Sequence, residues 1–287
     1  MTIAAALAVG IMRLRSQEAA PGVRDSARVD AQRLLGDILD ADAAWMLAHG
    51  EDELDGDLLD IFGLLLDERM RGVPVAYLIG RAGFYGRDFF VDERVLVPRP
   101  ESEHVIDAAL AELRSRSGTL RALDVGTGSG ALAVTLAAEV PALSVTATDV
   151  SQDALDVARK NARDHGVGDR VSFVRCDLAE AVGGERFDCI VANLPYVPHA
   201  ELPLPPDPVG FEPPVALDGG DDGLAHYRRL IERLGSLAEP GAGVIFEAAP
   251  SNVPALAQLV QQAYPGARVA VKPDYAGLDR VVVASMA

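Results

Sequence analysis

The sequence predicts an α/β protein in which a mostly parallel β-sheet is covered by helices on both faces and is preceded by a small helical domain. Three observations predict this fold. Amphipathic helical patterns fill the chain up to about residue 75. From Leu120 onward, short apolar runs alternate with helical patterns. The last two apolar runs, 267–271 and 280–284, are separated by a Gly-containing turn, which predicts an antiparallel edge to the sheet.

The N-terminal region has the periodicity of helices. Two stripes of apolar residues, one from Ala31 to Leu39 and one from Leu58 to Leu66, follow the i, i+3, i+4, i+7 spacing of an amphipathic helix. The apolar start of the chain lacks a preceding basic segment and is too short to span a bilayer. We therefore predict a small helical bundle at this end and no membrane segment.

The remaining elements follow in order. Residues 83–97 form short aromatic and β-branched runs separated by Gly and Asp, which predicts a β-hairpin between the two domains. A helix is predicted over 101–114. The predicted strands of the sheet are 121–125, 144–149, 171–176, 187–192 and 243–247, followed by the antiparallel pair at the end of the chain. Ser151 is placed to cap the helix after the second of these strands.

A glycine-rich turn joins the first of these strands to a helix. The run from Leu123 to Gly130 is Leu-Asp-Val-Gly-Thr-Gly-Ser-Gly. Its spacing is G-x-G-x-G, which is neither the dinucleotide fingerprint nor a phosphate-binding loop, so a diphosphate cofactor is disfavoured. Asp149, at the end of the second strand, is placed to bind a ribose diol. Together these features favour S-adenosylmethionine as the cofactor.

Composition disfavours several other classes of function. The chain has 287 residues, 49% apolar content and a formal charge of −17. Such acidity disfavours a nucleic-acid substrate, because Lys and Arg supply most contacts to phosphates. The two cysteines and five histidines show no metal-ligand spacing, so no metal is predicted. Reduced, structural cysteines favour a cytoplasmic protein.

A second motif follows the fourth strand. The segment Asn193-Leu194-Pro195-Tyr196 places an amide, a backbone carbonyl and an aromatic ring at the carboxyl edge of the sheet, near the glycine-rich turn. This segment resembles the D/N-P-P-Y signature of S-adenosylmethionine enzymes that methylate amino groups or amides. That group includes enzymes acting on glutamine, adenine or cytosine.

The resemblance extends over nearly the whole chain. The segments 74–80, 84–86, 96–103, 212–213, 216–220 and 222–224 are similar to those of the protein-(glutamine N5) methyltransferases, which modify peptide-chain release factors. The resemblance implies a Rossmann-like class I methyltransferase sheet. It also implies a helical substrate-recognition domain at 1–80, a β-hairpin linker at 81–100 and an S-adenosylmethionine-dependent methyltransferase domain at 101–287.

The resemblance also implies roles for individual residues. Asn193 Oδ1 and the Leu194 carbonyl match the family's two acceptors for the protons of the substrate amide. Pro195 holds Leu194 in an extended conformation, and Tyr196 matches the residue that packs against the planar substrate group. The implied cofactor-binding residues are Gly126, Thr127, Gly128, Ser129, Gly130, Asp149, Asp177, Leu178 and Asn193.

Two positions depart from the family pattern. Leu194 replaces the first proline of N-P-P-Y, which frees φ at this position and adds an N–H donor. Glu247 begins the sequence Glu-Ala-Ala-Pro-Ser where the family has E-I-G-x-x-Q. The first departure predicts a less preorganised acceptor loop.

The sequence is compatible with several classes of substrate. A release factor is the leading expectation, and a ribosomal protein is the next. A small-molecule, natural-product methyltransferase on the same scaffold is the alternative within enzymes, and a nucleic-acid adenine methyltransferase is disfavoured by charge. The alternative outside enzymes is a cofactor-binding module without turnover.

Overall fold

The computed structural model describes residues 1–114 and 116–287, and the chain divides into two compact units. The first unit contains residues 1–81 and 203–212, and the second contains residues 82–202 and 213–287. These bounds differ from the predicted ones in two ways. Nearly all of the β-hairpin belongs to the second unit, and a segment of ten residues late in the chain belongs to the first.

The first unit is built from helices. Its six helices are α1 (Ile3–Leu14), α2 (Pro21–Arg24), α3 (Ala27–Leu39), α4 (Ala43–Ala48), α5 (Gly56–Met70) and α6 (Val75–Ile79). The two stripes predicted from the sequence lie on α3 and α5. Leu34, Leu35, Phe62 and Leu66 from these stripes are buried in one apolar cluster, as their spacing predicts.

The second unit contains a hairpin and a seven-stranded sheet. The strands are β1 (Arg81–Phe84), β2 (Arg87–Phe90), β3 (Leu120–Val125), β4 (Leu143–Asp149), β5 (Val171–Arg175), β6 (Phe187–Ala192), β7 (Ala238–Glu247), β8 (Arg268–Pro273) and β9 (Asp279–Ser285). The order in the sheet is β5-β4-β3-β6-β7-β9-β8. Strands β3 to β7 are parallel, and β9 is antiparallel to both β7 and β8. The predicted fold class is confirmed.

Helices complete the second unit. They are α7 (Glu103–Leu113), α8 (Ala131–Glu139), α9 (Gln152–Asp164), α10 (Ala225–Ile231), α11 (Leu234–Leu237) and α12 (Val253–Ala263). Successive strand residues enter different apolar clusters: Ile190 lies in one, and Cys189 and Val191 lie in the other. Both faces of the sheet are therefore covered, which explains why its central strands are apolar at nearly every position.

The strand order creates a switch point between β3 and β6. From β3 the chain continues outward through β4 and β5, whereas β6 and β7 extend the sheet in the opposite direction. The helices that follow β3 and β6 therefore diverge, and a crevice opens at the carboxyl ends of these two strands. Within the described residues, no helix has the length and apolar character needed to cross a bilayer.

Candidate active site

A pocket lies at the carboxyl ends of β3, β4 and β6, entirely within the second unit. The predicted site residues that line it are Gly126, Thr127, Gly128, Ser129, Asp149, Asp177, Leu178, Asn193, Leu194 and Pro195. The structure thus brings together the glycine-rich turn, the carboxylate after β4 and the motif after β6. Gly130 and Tyr196 do not line this pocket.

Asp149 holds the glycine-rich turn in place. Its Oδ2 accepts the Gly128 N–H at 2.9 Å, and its Oδ1 accepts the Ser151 N–H at 2.9 Å. Burial raises the pKa of Asp149, and these backbone donors oppose that shift. Each carboxylate oxygen has further lone pairs, so Asp149 can accept hydrogen bonds from a ligand without releasing the turn.

A second carboxyl group lies beneath the turn. Asp124 is fully buried, and its Oδ2 accepts the Thr127 hydroxyl proton at 2.6 Å and the Ala133 N–H at 3.2 Å. Burial raises the pKa of Asp124 to about 7. Its contacts tie the turn to the first residues of α8. No role was predicted for Asp124 from the sequence, although this residue lies within the glycine-rich motif.

Gly130 serves packing. Its φ is +82°, and a Cβ added there would lie 3.0 Å from the Ala158 Cβ and 3.1 Å from the Ala158 Cα. Only glycine adopts this φ without strain, and a side chain would also push α8 away from α9. Gly130 therefore supports the turn from behind.

Asn193 lines the pocket with a fixed partner behind it. Its Nδ2 donates to Ser102 Oγ at 3.1 Å. Because the amide nitrogen is engaged by Ser102, the amide oxygen is the atom of this side chain that remains to accept hydrogen bonds from a ligand. Ser102 is itself buried and also lines the pocket.

Leu194 lies in the wall of the pocket and is almost fully buried. A Cβ added at Gly126 would lie 3.0 Å from the Leu194 Cδ2, so the leucine side chain packs directly against the glycine-rich turn. The Leu194 N–H donates to the Tyr227 hydroxyl at 3.2 Å. That hydroxyl also lies within hydrogen-bond distance of two carbonyl oxygens, that of Leu194 at 3.0 Å and that of Glu247, and it can donate its single proton to one of them. The donor that arises from losing the proline is therefore satisfied.

Tyr196 lies beyond the pocket. Its side chain is half-buried and packs against the apolar cluster on one face of the sheet. Burial raises the pKa of Tyr196 to about 12. A Cβ on Gly223 would lie 2.2 Å from the Tyr196 carbonyl oxygen, so a neighbouring glycine turn fits closely around this backbone.

Asp177 and Leu178 also line the pocket. Leu178 has a φ of +49°, a conformation that non-glycine residues rarely adopt, and Asp177 accepts a hydrogen bond from Arg229 at 2.7 Å. Val150 also lines the pocket and is 48% exposed. An apolar side chain left open at the wall of a concave site can be covered by a planar, weakly polar ligand group.

No function was predicted from the sequence for Ser102, Glu247 or Tyr227. Ser102 belongs to the segment 96–103 that carries the family resemblance. Glu247 is the last residue of β7, and a charged residue at the end of an apolar strand was the sequence feature that could have indicated a role for it. Burial raises the pKa of Glu247 to about 7, and a hydrogen bond from Ser102 opposes that shift. Within the described residues, no group of three or more His, Cys, Asp or Glu side chains is arranged to hold a metal ion.

Comparisons with known proteins point in one direction. Residues 105–203 match the methyltransferase small domain, and residues 6–80 match the PrmC N-terminal domain. A release factor glutamine methyltransferase from Xylella fastidiosa is 41% identical over 256 residues, which cover 89% of this chain and 92% of the relative. One from Chlorobaculum tepidum is 42% identical over 267 residues, which cover 89% of each chain.

A solved structure shares the fold. A methyltransferase from Pyrococcus furiosus matches with a TM-score of 0.51 at 21% identity, covering 71% of this chain and 90% of that one. At this level of identity the match concerns the fold alone.

Proposed function

This chain belongs to the release factor glutamine methyltransferase family, and from that membership we propose that it transfers a methyl group from S-adenosylmethionine to the side-chain amide nitrogen of a glutamine in a peptide-chain release factor. The observation that carries the proposal is the convergence of the glycine-rich turn, Asp149 and Asn193 on one pocket. A substrate of the translation machinery also implies that the enzyme acts in the cytoplasm.

The residues that line the pocket fit S-adenosylmethionine. Asp149 provides carboxylate oxygens for a ribose diol, and the exposed side chain of Val150 with Leu178 provides an apolar wall for an adenine ring. The backbone of the glycine-rich turn, held by Asp149 and Asp124, allows close approach of the methionine portion. When bound, the cofactor supplies an electrophilic methyl group on a sulfonium centre.

Asn193 and Leu194 are the proposed partners of the substrate amide. An amide nitrogen is a poor nucleophile because its lone pair is delocalised, so the protein must hold it in line with the methyl group. Asn193 Oδ1 and the Leu194 carbonyl can each accept one proton of the NH2 group. The Leu194 carbonyl already faces the Tyr227 hydroxyl at 3.0 Å and has a second lone pair for the substrate.

These acceptors favour the transition state. As the N–C bond forms and the methyl–sulfur bond breaks, the amide nitrogen gains positive character and its N–H groups become stronger donors, until one of the two protons is lost to solvent. Hydrogen bonds to fixed carbonyl oxygens therefore strengthen along the reaction, which lowers the barrier and not only the substrate dissociation constant. The two acceptors are preorganised because buried neighbours hold them: Ser102 behind Asn193 and Tyr227 behind Leu194.

We assign substrate recognition to the helical domain at 1–80. This region matches a separate family, the PrmC N-terminal domain, over residues 6–80. It forms its own apolar core, so it is a structural unit distinct from the sheet. A protein substrate needs a binding surface larger than the pocket, and this domain is available to provide it.

The experiment is methylation of a purified release factor. The protein is incubated with methyl-labelled S-adenosylmethionine and a full-length release factor, and peptide mass spectrometry locates the label. We expect one methyl group on a glutamine side chain. The host extract is tested in parallel. If the label appears only in a ribosomal protein or only in small molecules, the assignment of the substrate is overturned.

A variant tests the assignment of the site. Asn193→Ala removes one acceptor and should lower kcat by roughly 100-fold or more, because transition-state acceptors contribute on the order of 10²–10³ in rate. The dissociation constant of S-adenosylmethionine, measured by calorimetry, should change little. An unchanged kcat would remove Asn193 from the catalytic site.

A further inference from the structure

Three polar side chains form a hydrogen-bonded series that leads from the wall of the pocket to a buried carboxyl group. Asn193 Nδ2 donates to Ser102 Oγ at 3.1 Å, and the Ser102 side chain is hydrogen-bonded to the carboxyl group of Glu247. Ser102 and Glu247 are 5% and 1% exposed. They come from separate segments, since Ser102 precedes α7, Asn193 follows β6 and Glu247 ends β7.

The single hydroxyl proton of Ser102 fixes which group donates and which accepts along this series of hydrogen bonds. A carboxylate can only accept, so an ionised Glu247 requires Ser102 to donate its proton to it. Ser102 Oγ is then an acceptor toward Asn193, so it pairs with the amide NH2, which donates, and not with the amide oxygen, which can only accept. The Asn193 side chain is therefore held with Nδ2 toward Ser102 and with Oδ1 as the remaining acceptor.

We propose that Glu247, acting through Ser102, is a positioning residue that fixes which end of the Asn193 amide is presented to the substrate. This inference rests on the proposed function, because it concerns the acceptor that the substrate amide uses. A flipped Asn193 would present an NH2 group to the NH2 group of glutamine. Two donors would then face each other, and the acceptor would be lost.

Protonation of Glu247 removes the preference for one orientation of the Asn193 amide. A neutral carboxyl group can donate to Ser102 Oγ, and Ser102 can then donate to the Asn193 amide oxygen, which permits the flipped state. Burial raises the pKa of Glu247 to about 7, so this change falls within the working range of pH. The charged and titratable groups that face Glu247 are Arg280, Arg99, Glu101, Tyr196 and Tyr227; the two arginines lower its pKa and Glu101 raises it.

The unpartnered oxygen of Glu247 is consistent with a group that changes its state. Within the described residues, Glu247 Oε2 is buried and has no hydrogen-bond partner. Asp124 Oδ1 is likewise buried without a partner, and Asp124 and Glu247 are the two carboxyl groups whose pKa burial raises to about 7. Ser102 hydrogen-bonds the Glu247 carboxyl group, and Oε2 is an oxygen without a partner at which the proton can bind.

The first test is the pH dependence of kcat on the intact protein with a full-length release factor. In the wild-type protein, kcat should rise as the pH increases through the pKa of Glu247, because the ionised form holds Asn193 correctly. Glu247→Gln keeps an acceptor for Ser102 but cannot ionise, so its kcat should lose this acid limb. Glu185→Gln, in which an exposed carboxylate that pairs with Arg121 is changed, is the matched control and should keep it.

Burial also raises the pKa of Asp124 to about 7, so the experiment must distinguish the ionisation of Asp124 from that of Glu247. Asp124 holds the glycine-rich turn, so its ionisation should act on the KM for S-adenosylmethionine. Glu247 acts on Asn193, so its ionisation should act on kcat. Glu247→Gln should therefore change the pH profile of kcat and leave the pH profile of the cofactor KM as in the wild type.

Ser102 variants test the link between Glu247 and Asn193. Ser102→Ala removes the partner that orients Asn193, and kcat should fall roughly 10-fold, the change that corresponds to one net hydrogen bond. Ser102→Thr keeps the hydroxyl and should restore most of that loss. Ser236→Ala, which removes an exposed hydroxyl bonded to the Arg233 carbonyl, is the matched control and should leave kcat unchanged.

Defined outcomes overturn the inference. If Glu247→Gln retains the acid limb of kcat, or if Ser102→Ala has the kcat of the wild type, Glu247 does not position Asn193. If Ser102→Ala fails to fold, the pH profile of Glu247→Gln decides alone. A wild-type protein that methylates no release factor at any pH would refute the proposed function, which is a result distinct from either of these.

Discussion

The Tyr227 hydroxyl oxygen lies 3.2 Å from the Leu194 nitrogen and accepts its N–H. Tyr227 is fully buried, and its ring packs edge-on against Phe246 at 5.7 Å between ring centroids. The family signature has a proline where this chain has Leu194, and a proline has no N–H. The fold thus supplies an acceptor for the N–H that leucine adds. The absence of the proline predicts a less preorganised loop, and this hydrogen bond opposes that effect.

Tyr227→Phe should destabilise the protein and slow the reaction. The Leu194 N–H would remain buried without a partner, which costs about 1–3 kcal/mol in the free energy of unfolding. The loop that carries Asn193 would also lose its anchor, so kcat should fall while the dissociation constant of S-adenosylmethionine stays the same. Urea unfolding and steady-state kinetics measure the two effects.

The matched control is Tyr264→Phe. The Tyr264 hydroxyl accepts the Gly235 N–H and donates to the Ile231 carbonyl, both at 2.8 Å, so it makes a similar pair of bonds outside the pocket. This variant should lose stability without a change in kcat. Equal losses of kcat in the two variants would show that Tyr227 acts only through global stability.

Leu194→Pro should remove most of the dependence on Tyr227. With a proline at 194 there is no N–H to leave unpaired, so Tyr227→Phe should cost about 1 kcal/mol less in the proline background than in the wild-type background. A double-mutant cycle on the free energy of unfolding measures this coupling. Additive effects of the two substitutions would mean that the hydrogen bond contributes nothing.

Asp149→Ala should weaken cofactor binding first. The variant loses both the proposed ribose partner and the acceptor that holds the Gly128 N–H. Since hydrogen bonds to charged groups contribute about 1.5–3 kcal/mol each, the dissociation constant of S-adenosylmethionine should rise roughly 10- to 100-fold. At saturating cofactor, kcat should approach the wild-type value. Asp156→Ala, in which an exposed carboxylate that pairs with Arg159 is removed, is the control and should bind normally.

Asp124→Asn should change how stability depends on pH. Because the pKa of Asp124 is raised to about 7 in the folded protein, the folded state binds this proton more tightly than the unfolded state. Its contribution is fully present below the unfolded-state pKa, near 4, and is lost as the pH rises toward 7. The asparagine cannot ionise and keeps an oxygen for the Thr127 hydroxyl. The variant should therefore gain stability relative to the wild type between pH 5 and pH 8.

Urea midpoints at pH 5 and pH 8 measure this effect. The difference in the free energy of unfolding between Asp124→Asn and the wild type should be larger at pH 8. A difference that is the same at both values would mean that Asp124 does not change its protonation between them. Glu247 has the same sign of pH dependence, so both proteins must carry an unchanged Glu247.

Much of the fold follows from local patterns. The stripes at 31–39 and 58–66 predicted helices that lie on α3 and α5, and the apolar runs from Leu120 predicted strands within a few residues of their ends. The largest difference is β7, which begins at Ala238 and not near residue 243, because Glu239 and Pro240 interrupt the apolar pattern. Burial follows the helical period on α3 and α5, and the central strands are buried on both faces and apolar at nearly every position, so the sequence shows both patterns directly.

The candidate site was predictable where its functional residues lie in a short motif directly after a strand. The glycine-rich turn, Asp149 and Asn193 each follow a strand, and parallel strands end at one edge of a sheet. Their convergence on one pocket follows from the topology. The exclusion of Gly130 from the pocket was not predictable, because it depends on how closely α8 approaches Ala158.

The sequence by itself determined the α/β class, the antiparallel end of the sheet and the family, since each depends on residues that are close together in the chain. Only the tertiary structure decided what lies behind the acceptors. Ser102 and Asn193 are 91 residues apart in the chain, and Leu194 and Tyr227 are 33 apart. No periodicity connects such pairs. They meet because the sheet brings the end of β6 beside the end of β7 and the segment before α7, where buried polar groups must find partners in one another.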